Sequence, residues 1–321
     1  MYKKISLILI LILGTTIFYG CSKKEETDIK DNKINVVTTI FPPYDFVREI
    51  GGENVNVKML LKPGEESHSY EPTPKDIIDI QNSDLFIYVG GENDVWVNDI
   101  LESMGDNRPQ TLKLIDTVKT VEEEIVEGME HEHNEDDEHG HDEDKHTIDE
   151  HVWTSPKNSI LIVEEISNIL GEKDKKNLEV YKKNSSEYIK KLENLDNKFK
   201  EVVNNSKRKT ILFGDRFPFR YFADEYGLKY YAAFSGCSTE TEASPKTIGF
   251  LIDKIKQESI PVVFTIEFSN EKIANSIIES TNAKKMTFNS GHNLTKEQLE
   301  NGVTYLSLME ENVNRLREAL N

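Results

Sequence analysis

Cysteine is nearly absent: the 321 residues hold only Cys21 and Cys237. A disulfide framework and a cysteine-built zinc site are therefore excluded, and any metal site must use His and carboxylates. Basic patches are missing as well. The formal net charge is −19 and no aromatic-interleaved Lys/Arg run occurs, which argues against a nucleic-acid partner. Catalytic signatures are also lacking. In "HEHNE", Glu135 stands where a His-Glu-x-x-His hydrolase needs its second His. No Gly-x-Ser-x-Gly elbow or phosphate loop occurs. A zinc hydrolase would also need an open coordination position and a general base. The expectation is a protein that is not an enzyme, with hydrolysis a remote alternative. Long apolar runs are scarce: Ile5 to Leu13 is almost unbroken but too short to span a bilayer comfortably.

That run belongs to a targeting segment, with Lys3 and Lys4 as its charged start. "FYGC" (Phe18 to Cys21) resembles the lipobox of bacterial lipoproteins, although Phe18 and Tyr19 depart from the usual Leu and small residue. The resemblance implies a signal peptide over 1–21, acylation of Cys21 and anchoring to the outer face of the bacterial cell membrane. Residues 22–33 are polar and read as a flexible tether.

The length exceeds what one compact core usually takes, so two domains are expected. β-branched and apolar runs at Ile34 to Ile40, Val55 to Leu61 and Asp84 to Gly90 read as strands, with helices between them. Pro42-Pro43 reads as a break and Tyr44 to Ile50 as a short helix. A second strand–helix series runs through "TILFG" (Thr210 to Gly214), "KYYAAF" (Lys229 to Phe234) and "IPVVFTI" (Ile260 to Ile266). Thr295 and Gln298 have capping-box spacing and are expected to open one last helix to the C-terminus. Strands alternating with helices imply an α/β fold with mainly parallel sheets. Residues 173–205 lack Pro and Gly, and Leu178, Tyr181, Tyr188, Leu192, Leu195 and Phe199 recur on one helical face. Such a helix would be roughly 45–50 Å long and would join lobes over 34–172 and 206–321. No internal sequence repeat is visible.

The acidity is local. Between Glu122 and His151, fifteen Asp/Glu stand against one Lys. Within this window lie His131, His133, His139, His141 and His146. Residues 122–146 offer too little apolar surface to repay ordering, so they read as a disordered loop, its five histidines either a weak, multi-site zinc collector or only part of a solvated run. The other histidines sit in ordered settings. His68 lies in "KPGEESHSYEPTP" past the second strand, His151 in "DEHVWTSP" before a helix, and His292 in "FNSGHNL" past a late strand. Ligands bind beyond the carboxyl ends of strands in α/β sheets. His68 and His292 could therefore face each other across a domain cleft, and neutral imidazoles suit zinc.

"KPGEESHSYEPTPKD", "DEHVWTSPKNS", "STETEASPKTIGFL" and "GVTYLSLMEENV" resemble, in matching order, motifs of the zinc- and manganese-binding lipoproteins that serve ABC importers. The likeness runs from about Ile34 to Leu320. It implies two α/β lobes joined by one long helix, with the metal held in the cleft between them. His68 and His151 match family ligands. The family usually places a His after the first strand of the second lobe. Here "GDRFPFRYF" offers Asp215, which ligates the metal or pairs with Arg216. The family's last ligand is usually an Asp. Here that position is Asn289, and His292, three residues on, is expected to replace it. Glu240, Glu242 and Glu267 are reserve carboxylates with capping or supporting roles as the alternative.

Zinc-binding members often carry an acidic His-rich loop between the first two ligands, and manganese-binding ones usually lack it. The resemblance thus implies a monomeric protein that captures Zn2+ outside the membrane and delivers it to an ABC permease. A Mn2+ or iron carrier and a surface adhesin remain alternatives.

Overall fold

The structure, a computed structural model, describes residues 33–67, 70–129, 147–238 and 242–321. Residues 1–32, which hold the expected signal peptide, Cys21 and all but the last residue of the expected tether, lie outside the described residues, as do His68, Glu240, His131, His133, His139, His141 and His146.

Residues 33–321 form one compact unit built on two sheets. The first contains β1 (Ile34–Thr38), β2 (Val55–Met59), β3 (Leu85–Tyr88) and β4 (Gln110–Lys113), in the order β2-β1-β3-β4. The second contains β5 (Thr210–Phe217), β6 (Lys229–Ser235), β7 (Val262–Thr265) and β8 (Lys284–Thr287), in the order β6-β5-β7-β8. All pairings in both sheets are parallel, as strand–helix alternation requires. The fold is therefore α/β, with two parallel-sheet lobes flanked by helices.

Several elements depart from the sequence reading. Pro42 and Pro43 do not break the chain: they sit in the first turn of α1 (Phe41–Gly51), where a missing N–H costs nothing. Strand β4 escaped notice because only Leu112 of its four residues is buried. The linking helix is shorter than 173–205. Helix α2 (Pro156–Lys173) ends first. Asp174 then accepts from the Asn177 backbone at 3.3 Å and from Tyr181 Oη at 2.9 Å. Only after this turn does α3 (Leu178–Asn204) begin. Its 27 residues span about 40 Å. The C-terminus holds two helices rather than one. The Thr295–Gln298 capping box opens only Lys296–Glu300, and a second box, Thr304 with Ser307, opens α4 (Tyr305–Leu320). Gly302, at φ +70°, makes the break between them.

The segment 121–129 is ordered, contrary to the expected loop over 122–146. Its backbone pairs with 147–149 through Glu123 N–H to Thr147 O at 2.8 Å and Asp149 N–H to Val121 O at 3.0 Å. It packs on the second lobe: Tyr230 Oη donates to Glu124 at 3.1 Å, Lys254 pairs with Glu127, and Met129 is buried. Val126 and Met129 supply the apolar contact that the surrounding charge obscured.

One apolar cluster runs through both lobes. It includes Val36 and Phe46 of the first, Leu192 and Phe199 of α3, and Phe213, Phe264 and Tyr305 of the second. Asp45 in α1 accepts the Tyr305 N–H at 2.8 Å, tying the first lobe to the start of α4. The lobes therefore share a core.

Candidate metal centre

His151 is fully buried, just after the 121–129/147–149 pairing and just before a single turn, Val152–Thr154. Asp149 Oδ1 accepts both its backbone N–H at 2.8 Å and ring Nδ1 at 3.1 Å. A carboxylate accepts only, so Nδ1 carries the proton and the lone pair lies on Nε2. Burial opposes a charge on the ring, but Asp149, Glu150 and Glu123 together outweigh it and raise the pKa above the usual His value. Two contacts from the second lobe hold this segment. Tyr221 Oη donates to Asp149 O at 2.7 Å. Gly236, past β6, lies so close that a Cβ there would stand 3.1 Å from His151 Cε1.

His292 is 9% exposed and sits between β8 and the C-terminal helices. Its Nδ1 lies 2.6 Å from Ser290 Oγ, which in turn donates to Glu267 Oε1 at 2.6 Å. The hydroxyl proton is committed to the carboxylate, so Ser290 accepts from Nδ1–H, and Nε2 again carries the lone pair. Glu267 also accepts the N–H groups of Ser290 at 2.7 Å and His292 at 3.0 Å. Burial raises its pKa; the bonds from Ser290 and His292 oppose that.

The two rings meet edge to face, with centroids 4.9 Å apart. Trp153 packs beside both, at 5.5 Å from His151 and 4.9 Å from His292, and its Nε1 donates to Ser290 O at 2.9 Å. Its own carbonyl accepts from Ser159 Oγ at 2.9 Å and Tyr305 Oη at 2.6 Å. The indole is thus a fixed wall that sets the spacing of the rings. Asn289, at the position where the resemblance implies an Asp, is spent on structure: its N–H donates to Asn312 Oδ1 and its side chain to Leu308 O.

Asp215 lies at the end of β5, where Gly214 allows a helix (Lys272–Glu279) to approach. A Cβ on Gly214 would stand 2.7 Å from Ala274 Cα. Asp215 accepts the Arg216 N–H at 2.9 Å and the Ile266 N–H at 3.3 Å. The Arg216 guanidinium turns instead to Glu66, at 3.3 Å, and Ser238 O. Of the two sequence readings for Arg216, its pairing with Asp215 is not what forms. Asp215, Glu66 and Arg216 line a cavity of about 170 Å³, and Glu66 also lines the recess holding His292 and Glu267. Among the described residues no group of three His, Cys, Asp or Glu stands ready to hold a metal. The structure thus unites His151 with His292, puts Asp215 in an adjoining cavity, and uses Glu267 to support His292. Glu242 is exposed and pairs with Lys272. Cys237 is half-buried, and burial together with Glu150, Asp149 and Glu123 pushes its thiol far up, which disfavours a thiolate ligand.

Beside the imidazoles lies a second recess lined by Asp94, Glu150, Tyr70, Trp153 and His292. Burial raises Glu150 to about 7, although His151 and Asn93 oppose it, and raises Asp94 to about 6. Neither carboxylate was singled out from sequence, because nothing in "GGEND" or "DEH" marks burial.

The model of the family described as zinc-uptake complex component A, periplasmic, matches residues 36–319. The chain is 34% identical to the high-affinity zinc uptake system protein ZnuA of Bacillus subtilis, covering 100% of this chain and 99% of that protein. It is 32% identical to the zinc-binding lipoprotein AdcA of Streptococcus pneumoniae over 98% of its own length but spans only 61% of that relative. Among solved structures, the Zn(II)-bound ZnuA-like domain of that AdcA superposes with a TM-score of 0.73 at 29% identity, covering 90% of this chain and 99% of the domain. The laminin-binding adhesin Lmb of Streptococcus agalactiae, at 24% identity and a TM-score of 0.75, over 90% of this chain and all of that one, shares the fold. With two orientated imidazoles between two parallel-sheet lobes and a family match over nearly its whole length, the chain belongs to the zinc-uptake complex component A family.

Proposed function

We propose that this protein captures Zn2+ outside the membrane and hands it to an ABC-type permease, making and breaking no covalent bond. The observation that carries the reading is the His151–His292 pair, with ring centroids 4.9 Å apart and each ring held at Nδ1, which leaves its lone pair on Nε2. Two imidazoles favour zinc over manganese. His68 and Asp215 complete the set, with the cation drawing Asp215 or a water into coordination. The protein acts as a monomer, cut after residue 20 and acylated at Cys21, with 22–33 as tether and the lobes meeting at the long helix. The five histidines of residues 130–146 act as a weak collector that raises local zinc concentration.

Calorimetric titration of the metal-free chain with zinc, with and without residues 130–146, tests this. Residues 122–129 stay because they pack on the second lobe. One tight site should survive the deletion while weak sites disappear. Loss of the tight site would make the loop the site and overturn the assignment of His151 and His292. Tighter binding of Mn2+ than of Zn2+ would favour the manganese carrier instead.

A further inference from the structure

Trp153 joins the two imidazole-bearing segments directly. It stands two residues past His151, and its Nε1 donates at 2.9 Å to the carbonyl of Ser290, two residues before His292. The residue is 1% exposed, so water cannot replace that bond. Its ring lies edge to face with both imidazoles, at interplanar angles of 60° to His151 and 83° to His292. In a close-packed interior, rings set this way cannot tilt unless the indole moves with them. The backbone of Trp153 is held in turn from behind. Ser159 Oγ of α2 and Tyr305 Oη of α4 both reach its carbonyl, and the two hydroxyls lie 3.0 Å apart. Tyr305 is fully buried; its N–H rests on Asp45 across the seam between the lobes, and its ring meets Phe46 edge to face at 4.9 Å. Trp153 and His292 together line a recess of about 20 Å³, room for about one water.

We propose that Trp153 and Tyr305 are positioning residues that make the His151–His292 pair selective for zinc over manganese. This deepens the zinc reading above and rests on it. Zinc is satisfied by four ligands, with nitrogens at about 2.0–2.1 Å. Manganese suits carboxylates and water in an octahedral shell of six. A wall that fixes both rings and leaves room for about one water withholds the space that the larger shell needs. Tyr305 acts through Trp153: its hydroxyl keeps the indole from drifting off the rings and admitting more water. Imidazole chemistry already favours zinc, and the wall adds a geometric term to that preference.

The test is titration of the metal-free chain, Trp153→Phe and Tyr305→Phe with Zn2+ and with Mn2+, read as the ratio of the two affinities. Trp153→Phe removes the bond to Ser290 and part of the wall. Its zinc affinity should fall about tenfold or more while its Mn2+ affinity holds or rises, so the ratio narrows. Tyr305→Phe keeps the ring and loses only the hydroxyl, and the ratio should narrow by about two- to tenfold, the worth of one buried hydrogen bond. A purely structural role would weaken both metals by the same factor. Equal loss of both, or no loss of either, would overturn the proposal. Should Trp153→Phe yield too little folded protein, Tyr305→Phe decides alone, with a narrowed ratio in support and an unchanged one against. An unaltered chain with no tight zinc site sinks the zinc reading and this proposal with it; tight zinc binding with an unmoved ratio sinks this proposal alone.

Discussion

The two lobes share one strand order but present their imidazoles by different chemistry. In the first, Asp149 lies two residues from His151 and holds Nδ1 directly with a buried carboxylate. In the second, Glu267 reaches His292 Nδ1 only through the Ser290 hydroxyl. A direct carboxylate fixes the tautomer and also lends the ring negative charge, making Nε2 a better donor to a cation. A hydroxyl relay fixes the tautomer with less charge. The first lobe's ring should therefore be the stronger ligand and the second lobe's the more easily released.

Paired substitutions would break this comparison with the largest effect. Asp149→Asn keeps the shape but removes the charge, and if its NH2 turns to the ring it drives the proton onto Nε2, the nitrogen proposed to take zinc. Zinc affinity should fall by about 10–100-fold. Ser290→Ala removes the relay but leaves Glu267 bound to the backbone of Ser290 and His292, and its cost should sit at or below the lower end of that range. Calorimetry on both variants checks the order. Equal losses would mean that ring orientation alone matters.

What was readable from sequence divides along a physical line. Signals carried by neighbouring residues came through. The β-branched runs became β1, β5 and β7, the Thr295–Gln298 capping box opened a helix, although a short one rather than the last, and His151 and His292 stood out. Signals that depend on distant partners did not. Asn293 is an ordinary loop residue until Lys62 and Glu65 supply carbonyls from the other lobe. The 121–129 segment looked like part of an acidic coil because its contacts, Tyr221, Tyr230 and Lys254, are roughly a hundred or more residues away. Asp45 gave no sign that it would be buried against the start of the last helix.

Asp45 sharpens the comparison at the seam between the lobes. Burial raises its pKa to about 6, against the lowering effect of the Tyr305 N–H. The folded chain therefore binds this proton more tightly than the unfolded one. Its contribution to stability is complete below about pH 4 and is lost as pH rises through about 6. Asp45→Asn keeps an acceptor for Tyr305 and removes the titration. In the metal-free protein, the variant's thermal stability relative to the unaltered chain should improve between pH 4 and pH 7 by on the order of 1–3 kcal/mol, then level off. A difference that does not change with pH would mean the seam does not hold a buried, titrating carboxylate.

The smallest effect is expected at Tyr221, whose hydroxyl donates to Asp149 O at 2.7 Å and accepts the Val121 N–H at 3.4 Å. Tyr221→Phe removes both bonds from the second-lobe side and leaves the local Asp149–His151 contact in place. The cost in stability should be about 0.5–1.5 kcal/mol, read as a lower melting temperature of the metal-free chain, with zinc affinity changed by no more than about twofold. Asp149 is placed mainly by its own chain: its N–H donates to Val121 O, and its carboxylate also caps the His151 N–H. If Tyr221→Phe instead costs as much affinity as Asp149→Asn, the docking of one lobe on the other orientates His151. Both imidazoles would then depend on the interlobe seam, and a single parting of the lobes would weaken both ligands at once.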